Sequence, residues 1–205
     1  MTVPYVSRGR VNQKARTRDA LVAAARDLLS QGTIPTMEGA AAAASISRTT
    51  AYRYFPNLRA LLVAAFPHAE EESLLGANPP RDPLARLELV ADNHTRRILE
   101  YEAEMRAALR LSLEGDSLDA AELPVHRGLR IGWIEDALAP LREQMGARRL
   151  RSLVYGIGAT LGIEAFVWLT DVAGLSGVEA AATMRLNASR LLRSAIAEEG
   201  LADGR

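Results

Sequence analysis

Apolar residues recur at three- and four-residue spacing along nearly the whole chain, and no stretch alternates as a strand would. Leu21, Ala24, Ala25, Leu28 and Leu29 mark one face of a helix predicted from Lys14 to Gln31. Gly32 stops it, because glycine enters the left-handed conformation at little steric cost. Ahead of it, Met1 to Val11 reads as a mobile arm. Arg8, Arg10, Lys14, Arg16 and Arg18 fit a segment that tracks phosphates or enters a minor groove, and fit a solvated tail equally well. Thr36 is a good N-cap for a second helix, Met37 to Ala44, with Glu38 at its positive end. The alanine run Ala40–Ala44 suits two helices that cross closely, more than low complexity. Ala44-Ser45-Ile46 forms a turn, with Ile46 placed to fill the gap between helices. A third helix starts after Ser47 and ends at Pro56. Pro56-Asn57 caps a fourth, carried by Leu61, Leu62, Ala65 and Phe66 as far as a kink or restart at Pro67.

The remaining chain continues in helices. Glu70-Glu71-Glu72 is a solvated face, and Gly76 to Asp82 is a loop. The apolar pattern from Pro83 to Glu114 is too long for one typical helix, so two are expected with a break near Arg97–Tyr101. Gly115 to Pro124 is a polar loop. Gly128 to Met145 places Leu129, Trp133, Ile134 and Leu138 inward, and Pro140 bends its end. Ala147 to Ala173 is expected as one long helix, in which Glu164 is the only charge between Ser152 and Thr170. A membrane span needs about 20 apolar residues. Gly156, Gly158, Gly162 and Glu164 argue instead for a helix buried on both sides, with Gly158 and Gly162 allowing close contact. After a turn at Gly174-Leu175-Ser176-Gly177, a last helix runs from Val178 to Glu198. These two long helices should pack antiparallel. Their outer apolar surface has no partner left in the chain, which implies a homodimer through a four-helix interface.

Composition narrows the chemistry. The chain has 205 residues, 48% hydrophobic but only 5% aromatic, so its core is built from Ala, Leu, Val and Ile. With no cysteine there are no disulfides, no thiol chemistry and no usual zinc ligands. His68, His94 and His126 are too scattered for a metal site, and His94 reads as an ordinary, partly buried histidine. The sequence holds no glycine-rich phosphate loop and no nucleophile elbow, so neither an enzyme nor a cofactor is expected. The first residues lack the apolar core of a signal peptide, and the expected location is the cytoplasm. The zero net charge conceals an asymmetry. Residues 1–65 hold nine basic and three acidic residues, +6, which leaves −6 for residues 66–205. A basic head on an acidic body suits a polyanionic partner.

Ser47-Arg48-Thr49-Thr50-Ala51-Tyr52-Arg53-Tyr54-Phe55 is the most informative stretch. Two arginines, two threonines and two tyrosines share barely two helical turns, with only Ala51 and Phe55 suited to a core. Such side chains reach phosphates and base edges in a DNA groove. Two short helices joined by a turn of about 3–4 residues form a helix-turn-helix, whose second helix enters the major groove.

Thr36 through Leu62 resembles the DNA-binding signature of the TetR family of bacterial transcriptional regulators. The matching residues are Thr36, Ala40-Ala41, Ala44-Ser45-Ile46-Ser47, Tyr54-Phe55, Asn57-Leu58 and Leu61-Leu62. Glu164 to Asp171 is similar, more loosely, to the family's dimerisation region. The resemblance implies an all-α chain with a three-helix DNA-binding head at 1–65 and a helical ligand-binding and dimerisation body at 66–205. It implies Arg48, Thr49, Tyr52 and Arg53 at base edges, and Thr36, Thr50, Tyr54 and Arg59 at phosphates. It further implies a palindromic double-stranded operator and a small-molecule effector that enters the body. Three departures stand out. Ser45 replaces the turn glycine, Ala40 a larger core residue, and Leu58 the usual phosphate-binding lysine, with Arg59 the nearest substitute. Asn93, Met105, Trp133 and Phe166 combine apolar bulk with one amide on different body helices and are the candidates to line an effector pocket. Such a pocket would take a largely apolar effector. The alternative is a dimeric helical interaction protein that has lost DNA binding.

Overall fold

The computed structural model describes residues 5–65, 73–113, 129–198 and 200, with residues 5–12, 63 and 111 described by backbone alone. Phe66, Pro67, His68, Glu70–Glu72, the Gly115–Pro124 loop and His126 lie outside the described residues. So do Met1–Pro4 of the expected arm. Every regular element among the described residues is helical. The elements are α1 (Tyr5–Ser30), α2 (Met37–Ala43), α3 (Arg48–Tyr54), α4 (Leu58–Ala65), α5 (Pro83–Glu100), α6 (Glu102–Leu113), α7 (Leu129–Ala137), α8 (Ala147–Thr160), α9 (Ile163–Val167) and α10 (Gly177–Glu198).

The described residues pack as two compact units, 5–65 with 106–113 and 73–105 with 129–198. The first has its own core of Leu21, Ala25, Leu29, Met37, Ala40, Ala41, Ala51, Phe55, Leu61 and Leu62, joined by Ala107. Its helix ends are set by local chemistry. At the end of α1 the Gly32 amide donates to the Leu29 carbonyl at 2.8 Å and the Thr33 amide to Leu28 at 3.0 Å. Gly32 takes φ +71° to make this Schellman closure, as its position predicted. The other end of α1 differs from expectation. The helix begins at Tyr5, so residues 5–11 are helical and not a free arm. No proline follows Pro4 before the helix ends, and Gly9 alone does not break it.

The second unit is centred on Leu87, Val90, Ile98, Trp133, Ile134, Leu138, Ile157, Phe166, Met184 and Leu192. The expected break between α5 and α6 falls at Tyr101. Asp82 caps α5 by accepting the Ala85 amide at 2.8 Å. Arg86 closes the far end of α7, donating to the carbonyls of Ala137 at 3.0 Å and Asp136 at 2.8 Å. On α10, Arg185 donates to Thr95 of α5 at 3.0 Å.

The single helix expected from Ala147 to Ala173 is broken. α8 stops at Thr160, Gly162 takes an extended conformation (φ −86°, ψ 164°), and α9 restarts, passing into a π-helical turn over Trp168–Val172. The axis bends by 42°. The space a Gly162 side chain would need is filled by the Arg130 guanidinium and the Glu164 carboxylate. α8 is also not buried on both sides. Val154, Ile157 and Gly158 face the core, whereas Tyr155 is 55% exposed. No single described helix is long and apolar enough to cross a membrane, although α8 with the segment after it passes that test as a bent pair.

Candidate nucleic-acid interface

The head presents α3 through two capped turns. Thr36 accepts the Gly39 amide at 2.9 Å and starts α2. α2 ends by a second Schellman closure, with the Ser45 amide donating to Ala42 at 3.0 Å and Ile46 to Ala41 at 2.8 Å. Ser45 therefore holds φ 56°, the only positive φ outside glycine among the described residues. This is the backbone that a glycine would adopt more easily. Ile46 packs partly buried on the head core, where the pattern placed it. Ser47 then starts α3, accepting the Thr50 amide at 3.2 Å and donating its hydroxyl to Thr50 Oγ1 at 2.9 Å.

Ala51 and Phe55 anchor α3, at 0% and 3% exposure. Arg48, Thr49, Tyr52 and Arg53 all lie on the exposed side. Arg48 and Arg53 carry their guanidinium carbons 5.6 Å from the ring centroids of Tyr52 and Tyr54. Of the other candidate contacts, Thr36 is exposed, while Thr50, Tyr54 and Arg59 are half-buried. Leu58 packs partly buried against the head core. Three contacts escaped the sequence reading because they join separate helices. Arg18 of α1 lies 5.4 Å from the Phe55 ring, and Arg26 donates to the Ala65 carbonyl at the end of α4 at 3.0 Å. Arg48 meets Glu38 of α2, Nε to Oε1 2.9 Å. Acidic and basic types in two adjacent first turns were the only hint.

In the body, Trp133 and Phe166 are buried in one core, with Met105 partly buried against it. Asn93 donates to the carbonyl of Leu74, a residue of the same core, at 3.0 Å. His94, expected to be an ordinary, partly buried histidine, differs in its surroundings. It is buried, its ring 5.5 Å from that of Trp133, and neither ring nitrogen meets a hydrogen-bond partner in good geometry, although the Leu161 backbone lies close. Burial, then the charges of Arg130 and Arg97, lower its pKa to about 4. Arg130 donates to both Glu164 oxygens, at 2.5 and 3.2 Å. Burial raises the Glu164 pKa, but the hydrogen bonds and charge of Arg130 outweigh it and hold the carboxyl below its usual value.

Comparison of the sequence with family models and with curated proteins returns no match. Comparison of the fold does. A crystal structure of a TetR-family transcriptional regulator from Streptomyces coelicolor superposes with a TM-score of 0.63 at 22% identity, over 91% of this chain and 86% of that one. The chain has the TetR fold. A TetR transcriptional regulator from Rhodococcus sp. RHA1 gives a TM-score of 0.53 at 20% identity, over 87% of this chain and 96% of that one. Both likenesses extend over most of the chain and show the fold.

Proposed function

We propose that the chain is a homodimeric, TetR-like transcriptional repressor that binds a palindromic operator and is released by a small, largely apolar effector. The observation that carries this is α3. A helix of seven residues, capped by Ser47 and anchored chiefly by Ala51 and the Phe55 that follows it, turns Arg48, Thr49, Tyr52 and Arg53 to solvent. Exposed large polar side chains on so short a helix serve an external partner. Arginine pairs with guanine O6 and N7, and hydroxyls of Thr36, Thr50 and Tyr54 with Arg59 suit phosphates. The likeness of the fold to two TetR transcriptional regulators supports the same reading.

Dimerisation would cover the apolar surface on α8, the π-helical turn and α10. Tyr155, Trp168, Val172, Val178 and Leu186 are 55%, 58%, 71%, 71% and 48% exposed. A two-fold pair places two α3 helices one DNA turn apart, about 34–36 Å, which is why a palindrome is expected. The effector would bind within the body at Met105, Trp133 and Phe166, with Asn93 as polar anchor. It can release DNA only by favouring the other head spacing, and a shift from 1:99 to 99:1 needs about 5.5 kcal/mol of preference.

Leu58 favours a second reading. It fills the position of a phosphate-binding lysine with an apolar side chain packed on the head core, as a dimeric interaction protein without DNA affinity would permit. A gel shift with the DNA flanking its own gene decides. Specific binding that weakens steeply with salt supports the regulator. No shift at low salt supports the interaction protein.

A further inference from the structure

The ion pair between Glu38 and Arg48 is unusual in its place. An acid within a basic head opposes attraction to phosphate, yet Glu38 stands two residues from Thr36, in the first turn of α2. The pair lies at the surface, Arg48 69% and Glu38 50% exposed. Exposed pairs of this kind contribute little to folding. Its effect must be sought in what it does to Arg48.

Glu38 Oε1 meets the Nε edge of the guanidinium at 2.9 Å, and the Tyr52 ring lies 5.6 Å from its central carbon. An arginine held along one edge and over an aromatic ring has fewer rotamers to lose when it meets a base. The two terminal nitrogens, away from the Nε that Glu38 engages, can fork onto guanine O6 and N7. A carboxylate at this point also repels a phosphate that would otherwise capture Arg48. Holding the correct contact and penalising the wrong one are the two ways to gain specificity. We infer that Glu38 is a positioning residue that sets the base preference of Arg48 at the expense of overall DNA affinity. The inference rests on the DNA-binding reading given above.

The test uses the full chain and a duplex that the wild type selects from a randomised library. That duplex, its single-base variants and a scrambled duplex are titrated with wild type, Glu38→Gln, Arg48→Ala and the double variant. Glu38→Gln should bind the scrambled duplex about threefold tighter or more, because one repulsive charge is gone. At the base pair read by Arg48, it should lose discrimination by about tenfold. In the Arg48→Ala background, Glu38→Gln should leave base preference unaltered. Tighter binding with preference intact would make Glu38 a mere charge and overturn the inference. So would weaker binding to every duplex together with a lowered melting temperature, which is the mark of a helix-end role. A wild type that selects no duplex overturns the regulator reading, and this inference with it.

Discussion

His94 shows how one side chain ties stability to pH. Its folded pKa is lowered to about 4 by burial and by the charges of Arg130 and Arg97. In the unfolded chain an ordinary histidine titrates near pH 6.5, at about the value of a free imidazole. Between these values the unfolded state binds the proton and the folded state does not. Stability is therefore full above about pH 6.5 and declines as pH falls toward 4, by about 3 kcal/mol in all. Denaturant midpoints measured from pH 8 to 4 should follow that slope, and His94→Phe should flatten it. At Ser45 the effect is in the backbone. A non-glycine residue in the left-handed region is strained by about 1–2 kcal/mol, so Ser45→Gly should stabilise the head by about 1 kcal/mol. Thermal unfolding checks this; a lower melting temperature would contradict the strain. At the DNA face, Arg48→Ala and Arg53→Ala should each relax preference at one base pair, by about 1–3 kcal/mol if the contact is bidentate.

Among the elements, the head was legible because its boundaries are local. Thr36, Ser47 and Gly32 each close a hydrogen bond within a few residues, and a cap can be recognised without knowing what packs on it. The body was legible as helical and in rough extent, but not in number, because the helix expected from Ala147 to Ala173 is two. Nothing in the apolar run from Ser152 to Thr170 marks Leu161–Gly162 as a stop. The break coincides with the pairing of Arg130, on α7, with Glu164 directly over Gly162. That is a tertiary event thirty-four positions apart in sequence. Gly162→Ala should displace the pair, return the Glu164 pKa toward its usual value and lower stability. NMR titration of the Glu164 carboxyl and thermal unfolding read both effects, and an unmoved Glu164 would contradict them. The Glu38–Arg48 contact was hidden for the same reason. The types were visible and the juxtaposition was not. The exposed face of α3, by contrast, followed from composition alone, since only Ala51 and Phe55 could serve a core.

At the scale of the whole molecule, the proposed function needs two copies. Tyr155, Trp168, Val172, Val178 and Leu186 stand exposed on α8, the π-helical turn and α10, where a second copy would cover them. Trp168→Glu should shift the chain toward monomer in sedimentation and weaken operator binding with it, without altering the helical signal in circular dichroism. The most direct measurement of the central claim is selection from a randomised duplex library by the full chain, repeated with Arg48→Ala/Arg53→Ala. A homodimeric regulator enriches a palindrome whose half-sites lie about one helical turn apart, and the double variant loses it. An unenriched library, or the same palindrome recovered by the double variant, would contradict it.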